Sequence, residues 1–288
     1  MSYRTILAPV AYEKPAALTL DAALRVAKMF NSHVNALHVR LDPSGPMPYV
    51  AGPMPTELLV QISENAEKLA AARAEAVRKV FDDAVAKAGV KVVDTAARGA
   101  TPSAAWVEAM GNLDYRYGVA GRVHDISVVP RPSADDMENT VDIMEGLLFS
   151  SGRPVLMVSP EPTAAIGQTV VVAWKAGVEA ARAVAAAMPF LEQAKRVIIL
   201  TVHQQEDEEP SAQELANSLA WHGIKADLVD TKETGLSDGR TILKAASGVG
   251  ADLLVMGAYS HSRLRQLILG GVTQDVIAEA TIPVLMSH

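Results

Sequence analysis

Short runs of consecutive apolar residues alternate with longer alanine-rich stretches along the chain. The runs TVVVAW, VIILTV and DLLVMG are apolar at nearly every position, as is typical of strands covered on both faces. Between them, apolar residues recur at three- and four-residue spacing, which is the period of an amphipathic helix. The alternation predicts an α/β fold built on doubly wound parallel sheets.

The same pattern occurs twice, in the same order. Four segments of the first half resemble four of the second, namely TILAPV and TVVVAW, HVNALHV and RVIILTV, DISVVP and DLLVMG, and RPVLMVS and IPVLMSH. Such repetition indicates two copies of one structural unit. The segment SPEPTAAIGQ, residues 159–168, is rich in linker residues. We predict two tandem doubly wound parallel five-stranded sheets, in domains 1–160 and 167–288.

The first half is about 35 residues longer than the second. Most of the excess follows the second predicted strand, where a Pro/Gly-rich stretch precedes a long run of helix-forming residues. The apolar spacing predicts a helix from about Thr56 to Lys87, with Gly89 as its C-cap.

The last strand of each half is short. RPVLMV and IPVLMS are therefore expected at sheet edges, where unpaired backbone groups would be exposed. We predict that the two halves cover these edges against each other, as an intramolecular pseudo-dimer. The chain could also form a homodimer.

Composition and charge narrow the classes of partner. The net charge is −7, so the chain has no general basic surface for nucleic acid or an anionic membrane. Cysteine is absent, which excludes thiolate chemistry, and the seven histidines show no metal-binding spacing. His33 and His38 flank one strand and are interpreted as core or edge residues. No membrane span or signal peptide is recognisable, so a cytoplasmic location is expected.

Candidate binding chemistry lies near the end of the second half. Gly257 ends an apolar run, and ligands of open parallel sheets sit beyond the carboxyl ends of the strands. Gly270 and Gly271 lead into a predicted helix, whose first N–H groups and dipole would favour a phosphate. The predicted ligand-binding residues are Lys175, Gly257, Ser260, Arg263, Gly270, Gly271, Val272 and Thr273.

The duplicated pattern and this loop resemble the universal stress protein family, specifically its tandem members. The family's nucleotide-binding loop reads Gly-x2-Gly-x9-Gly-Ser/Thr and follows the fourth strand. The same spacing here gives Gly257, Ser260, Gly270 and Gly271, so the second and fourth positions differ. The resemblance implies the adenine nucleotide alpha hydrolase-like fold, with ATP or AMP as the ligand.

A second departure concerns an aspartate that ATP-binding members of the family place after the first strand. That position is Ala11 in the first half and Lys175 in the second. Lysine exchanges a hydrogen-bond acceptor for a cation, which could favour a phosphate but disfavours the family's nucleoside contact.

The first half departs further from the family's loop. Pro130 replaces the loop glycine and removes a backbone donor. The neighbouring acids Asp135, Asp136 and Glu138 place negative charge where phosphates would lie. We therefore predict no family-type ATP binding in the first half, and one nucleotide per chain.

Two function hypotheses follow. The chain could be a sensor whose second half binds ATP, AMP or another phosphorylated ligand. Alternatively, it could be a ligand-free interaction scaffold, with the glycines serving only turns and close packing. No nucleophile elbow, Walker A or dinucleotide-binding motif is present, so an enzyme is not expected. Weak ATP hydrolysis is a third and less supported hypothesis.

Overall fold

A computed structural model of the protein describes residues 2–40, 56–95, 102–132, 137–160, 165–202, 210–231, 235–259 and 271–288. By its internal contacts the chain divides into two compact units. The first unit comprises Arg4–Val128 and Asp142–Ser151. The second unit comprises Met1–Tyr3, Val129–Val141 and Gly152–His288.

The first half of the sequence supplies strands and helices in alternation. In chain order they are β1 (Thr5–Pro9), α1 (Glu13–Phe30), β2 (His33–Arg40), α2 (Thr56–Ala88), β3 (Lys91–Val92), β4 (Ser103–Met110), α3 (Leu113–Gly121), β5 (Ile126–Pro130), α4 (Met137–Ser150) and β6 (Val155–Val158). Strands β1 to β5 form a parallel sheet in the order β3-β4-β2-β1-β5.

The second half repeats the alternation. It contains β7 (Thr169–Ala173), α5 (Val178–Leu191), β8 (Arg196–Val202), α6 (Ala212–Ala220), β9 (Ala226–Thr231), α7 (Asp238–Gly248), β10 (Leu253–Gly257), α8 (Gly271–Glu279) and β11 (Val284–Ser287). The sheet order of the second unit is β6-β11-β10-β7-β8-β9, and every neighbouring pair is parallel except β6 with β11.

The predicted fold class is confirmed, with one addition. The two-residue strand β3 extends the first sheet beyond β4 and was not expected from the repeat. The predicted pairing of the short last strands is also present. Strand β6 runs antiparallel to β11, with Leu156 opposite Leu285. The domain limits 1–160 and 167–288 stay a prediction.

Burial explains why the apolar runs form these strands. The central residues of β7 and β10, from Val170 to Val172 and from Leu253 to Val255, are at most 1% exposed. Helices cover both faces of such a sheet, so alternation of polar and apolar residues is lost. The predicted long helix is confirmed as α2, and Gly89, at φ +62°, follows it.

A chain of hydrogen bonds crosses the amino-terminal end of the first sheet. The Ser103 hydroxyl lies 2.8 Å from His33 Nδ1, and His33 Nε2 lies 3.1 Å from Asn35 Oδ1. The Asn35 amide donates to His124 Nε2 at 2.8 Å, and His124 Nδ1 donates to the Ala120 carbonyl at 2.7 Å. The acceptor role of Nε2 requires a neutral imidazole at His124. Burial, above all, lowers the pKa of His124 below its usual value.

Candidate functional site

The predicted site in the second half lies at the carboxyl ends of β7 and β10. These strands are parallel neighbours, with Met256 of β10 opposite Ala173 of β7. Gly257 is the last residue of β10, and Lys175 follows the end of β7. Both predicted residues therefore lie at one edge of the sheet, which is where open parallel sheets bind ligands.

Gly257 packs directly against the start of α5. A Cβ atom at position 257 would lie 2.6 Å from the backbone nitrogen of Ala180 and 2.8 Å from the carbonyl carbon of Glu179. Backbone atoms cannot move aside as the end of a flexible side chain can. This packing is a structural reason for glycine that does not depend on a ligand.

The segment after β10 is tied to the first turn of α8. Tyr259 has a left-handed backbone, with φ +57°, and its N–H donates to Thr273 Oγ1 at 3.3 Å. Thr273 is 4% exposed, so this hydroxyl is fixed inside the fold. Thr273 was predicted to contact a ligand, and here its hydroxyl accepts a backbone hydrogen bond.

Helix α8 begins at Gly271, in agreement with the predicted helix start. Gly271 is exposed, and a Cβ atom there would meet no atom of the described residues within 4 Å. Val272 is half-buried. The first N–H groups of a helix have no partner within the helix, so they are available to a ligand or to water.

Lys175 is exposed at this edge, next to a buried tryptophan. The Trp174 indole N–H donates to the Pro210 carbonyl at 2.9 Å, which fixes the ring immediately after β7. Of the predicted residues, the structure connects Thr273 of α8 to the segment that follows Gly257. The predicted residues Ser260, Arg263 and Gly270 lie outside the described residues.

The first unit differs at the equivalent edge. Ala11, where the family has its aspartate, is 8% exposed, and Pro130 ends β5. The predicted acids Asp135 and Asp136, and the side chain of Glu138, lie outside the described residues. Ala11 also lines a cavity of the first unit.

A cavity of about 280 Å³ opens instead between the end of β2 and the helix α2. We call it the β2–α2 cavity. Its polar lining comes from Tyr12 after β1, His38 and Arg40 of β2, and Arg73 of α2. Sequence reasoning missed this group, although the two-residue alternation of a strand already places His38 and Arg40 on one face. The approach of Arg73 depends on how α2 packs, which no local pattern specifies.

His38 is buried within this lining. It is 1% exposed, its Nδ1 donates to the Val10 carbonyl at 2.7 Å, and its ring stacks on Trp106 with centroids 5.7 Å apart. Burial, above all, lowers the pKa of His38, and the charges of Arg40 and Arg73 act in the same direction. The neutral ring therefore keeps Nε2 as a hydrogen-bond acceptor. The interpretation of His38 as a core residue agrees with its burial.

The sequence profile of the universal stress protein family matches residues 2–116 and 167–288. The chain belongs to the universal stress protein family. Two short stretches resemble curated members. One is 53% identical over 34 residues to the universal stress protein Slr1230 of a Synechocystis strain, covering 12% of each chain. The other is 38% identical over 45 residues to the universal stress protein MJ0577 of Methanocaldococcus jannaschii, covering 16% of this chain and 28% of that protein.

Solved structures resemble the chain over its whole length. A universal stress protein from Archaeoglobus fulgidus DSM 4304 has a TM-score of 0.68 at 16% identity, covering 98% of this chain and 97% of that one. A functionally unknown protein from Pseudomonas aeruginosa PAO1 has a TM-score of 0.55 at 14% identity, covering 99% and 92%. At these identities the likeness concerns the fold alone. Among the helices of the described residues, none is long and apolar enough to cross a membrane.

Proposed function

We propose that this member of the universal stress protein family is a non-catalytic regulatory protein whose second half binds one phosphorylated ligand, ATP or AMP. The observation that carries the proposal is the exposed start of α8 at Gly271, held near the end of β10 by the bond from Tyr259 to Thr273. Unpaired N–H groups and the helix dipole there favour an anion. The family's loop spacing supports the same position.

Lys175 bears on which part of the ligand is recognised. Its ammonium group is exposed beyond β7, at the edge where Gly257 ends β10. A cation there favours phosphate oxygens, whereas the family's aspartate would accept hydrogen bonds from a nucleoside. The proposed site therefore depends more on the phosphates than on the base.

The alternative, a ligand-free scaffold, is favoured by two observations. Gly257 is required by the packing of α5, so its presence does not need a ligand. The family's aspartate is replaced in both halves, by Ala11 and Lys175. In this alternative the tandem fold acts only through protein contacts.

The proposal is tested by titrating ATP and AMP into the wild type and a matched pair of variants. Gly271→Pro removes one N–H, and proline is tolerated in the first turn of a helix. Gly271→Ala keeps that N–H, and its Cβ meets no atom in the part of the chain that the structure describes. We expect Gly271→Pro to weaken ATP binding at least about tenfold, as for one charge-assisted hydrogen bond, and Gly271→Ala to weaken it much less.

Lys175→Asp distinguishes the two functions. Restoring the family's acid should raise the affinity for the nucleoside part if the site is otherwise intact. Circular dichroism serves as the folding control, and calorimetry should give one site per chain. If neither the folded wild type nor folded Lys175→Asp binds ATP or AMP, the scaffold is the correct function.

A further inference from the structure

The β2–α2 cavity of the first unit carries positive charge that the protein only partly neutralises. Arg40 pairs with Glu108 at 3.2 Å through one terminal nitrogen, but its buried Nε–H has no acceptor among the described residues. Arg73 lies over the Tyr12 ring, 4.9 Å from the centroid, and pairs with no carboxylate of the described residues. Guanidinium groups whose charge is only partly paired are suited to binding carboxylate or phosphate oxygens.

His38, which lines the same cavity, is held in a fixed position. The Tyr117 hydroxyl donates to the Leu37 carbonyl at 3.2 Å and accepts from the Val39 N–H at 3.3 Å, so it holds both neighbours of His38. Tyr117 is fully buried, and burial raises the pKa of its hydroxyl, which stays protonated. Tyr117 therefore fixes the end of β2, the part of the strand that carries His38 and leads to Arg40.

The remaining lining is apolar. It comes from the segment after β1, from β2, from α2 and from the start of α3, and consists of Ala11, Val39, Ala66, Leu69, Ala70 and Leu113. Small-molecule pockets typically combine such walls with a few placed polar groups and have volumes of about 300–1,000 Å³. At about 280 Å³ the cavity is just below this range, so its ligand is small.

We infer that the β2–α2 cavity binds a small organic anion, a carboxylate or phosphate on a compact apolar body, with Arg40 and Arg73 contacting the anionic oxygens. The alanines and leucines contact the body. This site is separate from the one proposed in the second half. It uses side-chain guanidinium groups of β2 and α2, whereas the proposed nucleotide site uses backbone N–H groups of α8.

A tryptophan lies near each of the two proposed sites, and its indole N–H resonance can report binding there. The Trp106 indole N–H donates to Glu108 Oε1 at 2.9 Å, and Glu108 is the partner of Arg40. An anion that draws Arg40 toward itself should therefore shift the Trp106 indole resonance. Trp174 reports on the edge of the second unit, and Trp221, which is 92% exposed, is a solvent reference.

The test is a titration of the full chain with benzoate, phenyl phosphate and benzyl alcohol, followed by the three indole N–H resonances. We expect benzoate or phenyl phosphate to shift Trp106 in a saturable way while Trp174 stays unchanged. Benzyl alcohol has the same ring without the charge, so it should bind at least about tenfold more weakly.

Two variants and one matched control locate the binding. Arg73→Gln should weaken binding about 10- to 100-fold, which corresponds to the loss of a charge-assisted hydrogen bond. Arg78→Gln is the control, because Arg78 is on the same helix and also lies over an aromatic ring, that of Trp106, but does not line the cavity. Ala70→Leu fills the cavity without changing charge and should abolish binding.

Three results would overturn the inference. The first is a failure of both charged probes to shift Trp106 in the wild type. The second is equal weakening by Arg73→Gln and Arg78→Gln, which would indicate general surface attraction. The third is undiminished binding to Ala70→Leu, which would place the ligand elsewhere. Failure of ATP or AMP binding does not affect this test, because the reporter Trp106 and the substituted residues Ala70, Arg73 and Arg78 all belong to the first unit.

Discussion

The two halves of the chain have matching strands but different carboxyl edges. In the second unit the edge offers the start of α8 and the close-packed Gly257. In the first unit, Ala11 and Pro130 occupy the corresponding places, and a cavity lined by arginines lies beside α2. The two proposed sites therefore use different chemistry, with backbone N–H groups in one half and arginine side chains in the other.

The comparison shows which parts of a repeat can change independently. Strand residues such as Ile6 in the first unit and Val171 in the second are at most 1% exposed, so packing restricts both copies to similar side chains. The segments that follow the strands carry no such restriction. Their residues can exchange one ligand chemistry for another without altering the fold.

The largest effect that would sharpen this comparison is expected at Gly257. Gly257→Ala places a Cβ atom 2.6 Å from the Ala180 nitrogen, and overpacking of this kind costs about 1–3 kcal/mol. Gly271→Ala is the control, because no atom of residues 235–259 or of the other described ranges lies within 4 Å of its Cβ. We expect urea unfolding to show a clear loss of stability only for Gly257→Ala. Equal stability of the two variants would mean that Gly257 is not required by packing.

A smaller effect concerns the pH dependence of stability, which should differ between the two units. Burial lowers the pKa values of His38 and His124 in the first unit below the usual 6.5. The unfolded chain therefore binds a proton at each of these histidines more readily than the folded chain does. Their contribution to stability is present above pH 6.5 and is lost as the pH falls below it, by at most about 1.4 kcal/mol per pH unit for each proton. In the described part of the second unit, His222 is exposed and His288 half-buried.

The measurement is urea unfolding at pH 7.5 and pH 5.5, followed at the indole resonances of Trp106 and Trp174. The Trp106 midpoint should fall further than the Trp174 midpoint on acidification. His124→Gln removes one of the two histidines with a lowered pKa. It should therefore reduce the difference between the falls of the Trp106 and Trp174 midpoints. A larger fall at Trp174 would contradict the assignment of the acid-sensitive groups to the first unit.

The smallest effect concerns equivalent helices, α3 and α7. The Ser237 side chain caps α7 by accepting from the Arg240 N–H at 3.4 Å, and it donates to Asp275 of α8 at 2.5 Å. Asn112 stands at the corresponding place before α3 and makes no side-chain cap bond. Ser237→Ala should therefore cost about 1 kcal/mol, and Asn112→Ala clearly less, in thermal unfolding. Equal losses would show that the caps of the two halves are equivalent.

Much of the fold could be predicted because it depends on patterns local to the sequence. Apolar runs gave the strands, the repeat gave the two sheets, and the spacing up to Gly89 gave the long helix α2. Strand β3 was missed because its two residues, Lys91 and Val92, are too short to show any period. The pairing of β6 with β11 was predictable from the cost of an open sheet edge.

The site was less accessible to sequence reasoning. The start of α8 at Gly271 follows from the glycine pair, whereas the contact of Gly257 with Ala180 depends on how α5 packs. The cavity beside α2 was missed altogether, because Arg40 and Arg73 belong to elements that meet only in the folded unit. The predicted ligand-binding residues of the second half remain a prediction.

The antiparallel pairing of β6 with β11 has a consequence for biosynthesis. All four residues of β6 are buried, and its partner is made only after the rest of the second half has left the ribosome. Until then, the nascent chain presents an apolar strand edge that other chains could extend. Because the second unit includes β6 from the first half of the sequence, neither duplicated copy could be inherited alone without leaving an open strand edge.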